Sequence, residues 1–151
     1  MYNKILVPID GSATSLRGLD EAIKMGKLTG AKLRLIHVID ELSVALGSGY
    51  GMTYTGDIVG LLREAANDIL SKGCSHVQAS GLEVDTVLND SFSGRVSDLV
   101  CAQVASWGAD LIVLGTHGRR GVGRLLMGSD AESIIRVATI PVLLLRTESK
   151  S

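Results

Sequence analysis

Long apolar runs are missing from this 151-residue chain: no stretch reaches the roughly 20 residues that a membrane-spanning helix needs. Aromatic side chains are scarce, at 3%, so a base-stacking nucleic-acid surface is not expected. Charge of one sign is missing too. Fifteen Lys and Arg against 16 Asp and Glu leave a net charge of −1, which disfavours a generic nucleic-acid or polybasic membrane binder. The two cysteines, Cys74 and Cys101, lack CxxC or Cys/His spacing, so packed, reduced thiols are expected rather than a metal site or redox pair. Met1-Tyr-Asn-Lys enters a strand at once, without the apolar core of a signal peptide. A cytoplasmic protein is the expectation.

What is present is a globular composition, 46% hydrophobic and 21% charged, in one domain over residues 1–151. Ile5–Ile9 reads as a strand that Pro8 ends or disturbs, because proline cannot donate to a sheet ladder. Ser12 or Ser15 caps a helix in which Leu16, Leu19, Ala22, Ile23 and Leu28 share a face, and Gly30 stops it. Lys32–Val38 is a second strand. From Asp40 to Gly56 the pattern dissolves among four glycines, and a loop of that length is either functional or an insertion without a role. A stripe from Ile58 to Leu70 starts a second helix near Asp57, with Gly73 a candidate interruption before Gly81. Leu82–Leu88, a helix marked by Val96, Leu99, Val100, Val104 and Trp107, the strand Asp110–Leu114, a helix from about Ser129 to Ala138, and the strand Ile140–Arg146 follow.

Strict alternation of strands and helices implies a parallel sheet with right-handed crossovers and helices on both faces. The expected fold is a single Rossmann-like α/β domain with five parallel strands in the order 3-2-1-4-5. Ligands of such sheets sit past the strand carboxyl ends, where the strand order reverses. The loops Asp10–Ser12 and Gly115–Gly128 are the natural pair to flank that crevice.

The stretch Leu111–Glu132 organises the rest. A buried strand leads to a glycine-rich loop and then to a helix N-terminus, where bare N–H groups and the dipole suit a phosphate. It is neither a Walker A loop nor a dinucleotide fingerprint, since the required lysine and third glycine are absent. Ser129-x-x-Glu132 also spells a capping box, which could satisfy the same N–H groups from within. Arg119, Arg120 and Arg124 against Asp130 and Glu132 leave the stretch one positive charge, too little for a bare triphosphate. A divalent ion near Asp130, or fewer phosphates, would balance it. His37 and His117 lie near the crevice and read as loop-orienting groups before general bases.

Gly115-x2-Gly118-x9-Gly128-Ser129, with Val7-Pro-Ile-Asp10-Gly-Ser, His37-Val38, Ala109–Gly115 and Pro141–Arg146, resembles the nucleotide-binding branch of the universal stress protein family along essentially the whole chain. The resemblance implies an adenine nucleotide alpha hydrolase-like fold binding ATP or AMP; the divalent ion expected from the charge count is then Mg²⁺ or Mn²⁺. Pro8 and Asp10 are then expected at the adenosine end, and the Val38 main chain against adenine. Gly115, Gly118, Arg119, Gly128 and Ser129 are expected around ribose and phosphates. Asp130 departs from the family's usual small apolar residue. The resemblance also implies a homodimer paired through Val142–Leu145, which would cover an apolar edge strand. A nucleotide-dependent stress-response module is the leading expectation. A slow ATPase or phosphoryl-transfer enzyme and a ligand-free interaction protein are the alternatives.

Overall fold

The computed structural model describes residues 1–39, 55–91, 94–117 and 129–147, with the side chains of residues 55–57, 117 and 129 outside that description. Five parallel strands, β1 Lys4–Pro8, β2 Lys32–Val38, β3 Val84–Asn89, β4 Leu111–His117 and β5 Val142–Thr147, form one sheet in the order β3-β2-β1-β4-β5. Among the described residues four helices connect them: α1 Ala13–Thr29, α2 Thr55–Ala79, α3 Val96–Trp107 and α4 Ser129–Val137. The expected fold class and strand order are therefore found.

Side chains alternate across each strand, so the two sheet faces have separate cores. Ile5, Val7, Leu33, Leu35, Leu111 and Val113 meet Leu19, Ala22 and Ile23 of α1 and Leu70 and Val77 of α2. Leu6, Ile36, Ile112 and Leu114 meet Val100 and Val104 of α3 and Ala131 and Ile134 of α4. The central strands are apolar on both faces for this reason.

One expectation needs correction and two open alternatives are resolved. Leu16 and Leu28 do not belong to the buried stripe of α1; they are 48% and 78% exposed. A helix lying on a sheet buries only its inner arc, and Gly18 and Gly26 take the closest positions instead, where a Cβ would meet Gly115 N at 2.7 Å and Leu82 Cδ1 at 2.8 Å. Gly73 does not interrupt α2, which is continuous to Ala79. It faces Leu35 and Ile9, so a missing side chain lets the helix settle onto the sheet. Finally, Ser12 and not Ser15 caps α1: its hydroxyl accepts the Ser15 N–H at 3.2 Å. Gly30 and Gly108 end α1 and α3 in the left-handed conformation, as their positions predict.

The amino-terminal end of the sheet is closed by its own charges. The Asp110 carboxylate accepts the N–H groups of Asn3 and Lys4 at 2.8 and 3.0 Å, and Lys4 Nζ donates to the Trp107 carbonyl at 2.9 Å. Arg34 forks onto Asp85 with bonds of 2.6 and 3.0 Å, and its guanidinium lies 4.5 Å from the Trp107 ring centre. That hydrogen-bonded guanidinium holds the Asp85 carboxyl below its ordinary value, with burial acting the other way.

Candidate functional site

The opposite end of the sheet is open. β1 pairs with β2 over five residues from Lys4 to Pro8, but with β4 only at Ile5–Leu111 and Leu6–Ile112. Beyond Leu6 the two central strands part, and the first turn of α1 enters the gap. Gly115 makes this possible: a Cβ there would collide with the Thr14 carbonyl. Above the gap is a cleft of about 390 Å³, within the size range of small-ligand sites.

The loop after β1 is tightly self-bonded. Gly11 adopts φ +82°, a conformation suited to glycine. The Asp10 Oδ1 atom accepts the Ser12 N–H at 2.9 Å, and Ser15 Oγ accepts the Asp10 N–H at 3.1 Å. Ser12 Oγ and Thr14 Oγ1 pair at 3.0 Å. His37 reaches across from β2 to the Ile9 carbonyl, 2.7 Å from its Nδ1. Because a carbonyl only accepts, Nδ1 carries the proton. Nothing in this loop pairs histidine with serine as a nucleophile: Ser12 and Ser15 are occupied by capping and loop bonds.

The cleft gathers sequence-predicted residues from four elements. Pro8, Asp10, Val38, Gly115 and Asp130 all line it. Gly118, Arg119 and Gly128 lie outside the described residues, as do Arg120, Arg124 and the side chains of His117 and Ser129. Ser129 begins α4, which starts at the cleft through Asp130 and Ala131. The carboxylate of Glu132 reaches forward one turn to Arg136 at 2.8 Å, an arrangement that competes with the capping-box alternative. The loop expected over Asp40–Gly56 lies outside the described residues up to Tyr54, and its last two positions already belong to α2.

One wall was not foreseen. Leu62, Ala65, Ala66 and Ile69 of α2 line the cleft, as does Val96 of α3, a helix on the other face of the sheet. In sequence the α2 residues read as ordinary core. Their place in the apolar stripe carries no local sign of a ligand-facing role. Arg63, next to this wall, bonds Asp90 at the end of β3 at 3.0 Å.

Away from the cleft, Cys74 and Cys101 are free, half-buried thiols, and burial together with nearby Asp98 pushes the Cys101 thiol up. Both findings agree with packed thiols. Among the described residues no helix is long and apolar enough to cross a membrane, and no three His, Cys, Asp or Glu side chains cluster as a metal site.

The universal stress protein family model matches residues 1–146. The chain belongs to this family. Universal stress protein MJ0531 of Methanocaldococcus jannaschii is 31% identical over 99% of the chain and 85% of its own length. The solved structure of hypothetical protein MJ0577 superposes with a TM-score of 0.80 at 25% identity, covering 99% of each chain. A universal stress protein from Archaeoglobus fulgidus, solved in complex with dAMP, has the same fold, with a TM-score of 0.67 at 24% identity over 95% of this chain and 97% of its own.

Proposed function

We propose that this universal stress protein is a cytoplasmic adenine-nucleotide-binding module that reports nucleotide or stress state. The observation that carries the reading is the composition of the cleft at the β1–β4 parting. Apolar residues of α2 and α3 are part of its lining, suited to a base. The lining also includes Asp10, the hydroxyl-rich turn of α1 and the start of α4, suited to sugar and phosphate. Asp10 can accept from ribose or base but would repel phosphate, which keeps it at the nucleoside end with Pro8 and the Val38 main chain. Gly115, Gly118, Arg119, Gly128 and Ser129 take the ribose and phosphates. A dAMP complex in a protein of the same fold agrees with this reading without carrying it.

The residues present fit a divalent ion held mainly by phosphate and water. Asp130 supplies a carboxylate at the cleft, and no protein cage is needed for Mg²⁺ or Mn²⁺ of that kind. Such an ion would offset phosphate charge. Isothermal titration calorimetry with ATP, ADP and AMP, with and without Mg²⁺ or Mn²⁺, tests the module: saturable heat with at least one nucleotide is expected, and no heat with any of them removes it.

The outer edge of β5 supports the expected homodimer. Val142, Leu143, Leu144 and Leu145 are only half-buried in the single chain, although all four are apolar. A second copy of the same strand across a twofold axis would cover them. Light scattering at micromolar concentration should give twice the chain mass, and a monomer mass refutes the pairing.

A further inference from the structure

Resting on the nucleotide reading, we propose that His37 is a ligand-selecting residue: its Nε2 accepts a hydrogen bond from the bound nucleoside, from either the amino group of the base or a ribose hydroxyl. Nδ1–H is committed to the Ile9 carbonyl at 2.7 Å, so in the neutral ring Nε2 has a bare lone pair. The two nitrogens sit on different edges of the imidazole. With Nδ1 turned to β1 and the ring lining the cleft, Nε2 is the nitrogen left for a guest. It has no partner among the described residues.

The surroundings point the same way. Hydroxyls of the neighbouring turn are already engaged: Ser15 Oγ with the Asp10 N–H, and Ser12 Oγ with Thr14 and the Ser15 N–H. Those bonds use the serine oxygens mainly as acceptors; the acceptors this end of the cleft adds are the Asp10 carboxylate and His37 Nε2. A ligand edge carrying donors is matched there. An edge carrying a carbonyl, such as a 6-oxopurine, would bring acceptor against acceptor and leave both without a bond.

The test uses substitutions that separate the two nitrogens. In His37→Asn the side-chain amide can keep the bond to the Ile9 carbonyl but has nothing at the position of Nε2. His37→Ala removes both. Calorimetry is run on wild type and both variants with AMP, inosine monophosphate, 2′-deoxy-AMP and 3′-deoxy-AMP, alongside thermal melts. Wild type should prefer AMP over at least one analogue by about tenfold, the worth of one good hydrogen bond plus the cost of leaving its partner bare. His37→Asn should melt near wild type, bind AMP about tenfold more weakly and lose that same preference. His37→Ala should match this loss and also melt lower. Loss of the inosine discrimination assigns the donor to the base, and loss of a deoxy discrimination assigns it to ribose. Unchanged AMP affinity in His37→Asn overturns the proposal, as does an equal weakening for all four ligands. Failure of wild type to bind any of them overturns the nucleotide reading and this one together.

Discussion

The two ends of the sheet are built from similar residues to opposite effect. At the amino-terminal end, Lys4, Arg34, Asp85 and Asp110 close on one another and on Trp107. At the carboxyl end, Asp10, His37 and Asp130 stand around a cleft instead. The difference comes from geometry. Strand starts are in register and can be bridged by short bonds, whereas β1–β4 pairing stops at Leu6 and a cleft opens beyond it. The first set ties strand to strand, whereas the second lines the space where a ligand would sit.

The hardest blow to this division should be Gly115→Ala, because Gly115 serves both duties. Its new methyl would strike the Thr14 carbonyl, backbone against backbone, which neither partner can avoid by changing rotamer. A loss of about 3 kcal/mol in urea denaturation is expected, with nucleotide affinity falling as α1 is pushed from the gap. A change under about 1 kcal/mol would show that the close approach is not as described.

Ser12→Ala removes the cap of α1 at the cleft rim. Stability should drop by about 1 kcal/mol, and affinity should weaken too, since the same turn borders the ligand. At the other end, Asp85→Asn should cost a similar amount, about 1 kcal/mol once solvent screening of this partly exposed pair is allowed for, but leave affinity untouched. The pH dependence separates it further. The folded carboxyl of Asp85 lies below its unfolded value, so its contribution is present above about pH 4 and is lost as pH falls through the lowered folded value. Acid melts of Asp85→Asn should therefore have a flatter limb than wild type. An equal limb, or a fall in nucleotide affinity, would break the contrast between the ends.

The smallest effect is expected from Leu28→Gln. With 78% of its surface in water, this side chain should change the melting free energy by less than about 0.5 kcal/mol. A larger loss would restore it to the core.

Leu28 also marks where sequence reading stopped. Periodicity tells which residues share a helix face, not how wide an arc the neighbouring sheet will cover, and Leu16 fell outside it for the same reason. Punctuation was legible because it is local: Gly30 and Gly108 need no partner to end a helix. The strand order was readable from alternation and from the family resemblance together. At the site, Pro8, Asp10, Val38, Gly115 and Asp130 were found to share one cleft. The contribution of α2 was hidden, because nothing local tells that Ile69 lies against Gly11 and not over a strand. The contact of Gly115 with Thr14 was equally hidden, since it depends on where α1 docks.

The short seam between β1 and β4 carries a mechanical consequence. One half-sheet, β3-β2-β1, joins the other, β4-β5, through two pairs of strand residues and the Asp110 bonds to Asn3 and Lys4 at the strand starts. A guest touching both Asp10 and the start of α4 would act as a clasp across that seam, adding a fastening where the backbone has few. Filling the cleft should then slow amide exchange at Val7 and Val113 on either side of the join, so that occupancy is sensed as stiffness throughout the sheet and reaches the outer strand β5.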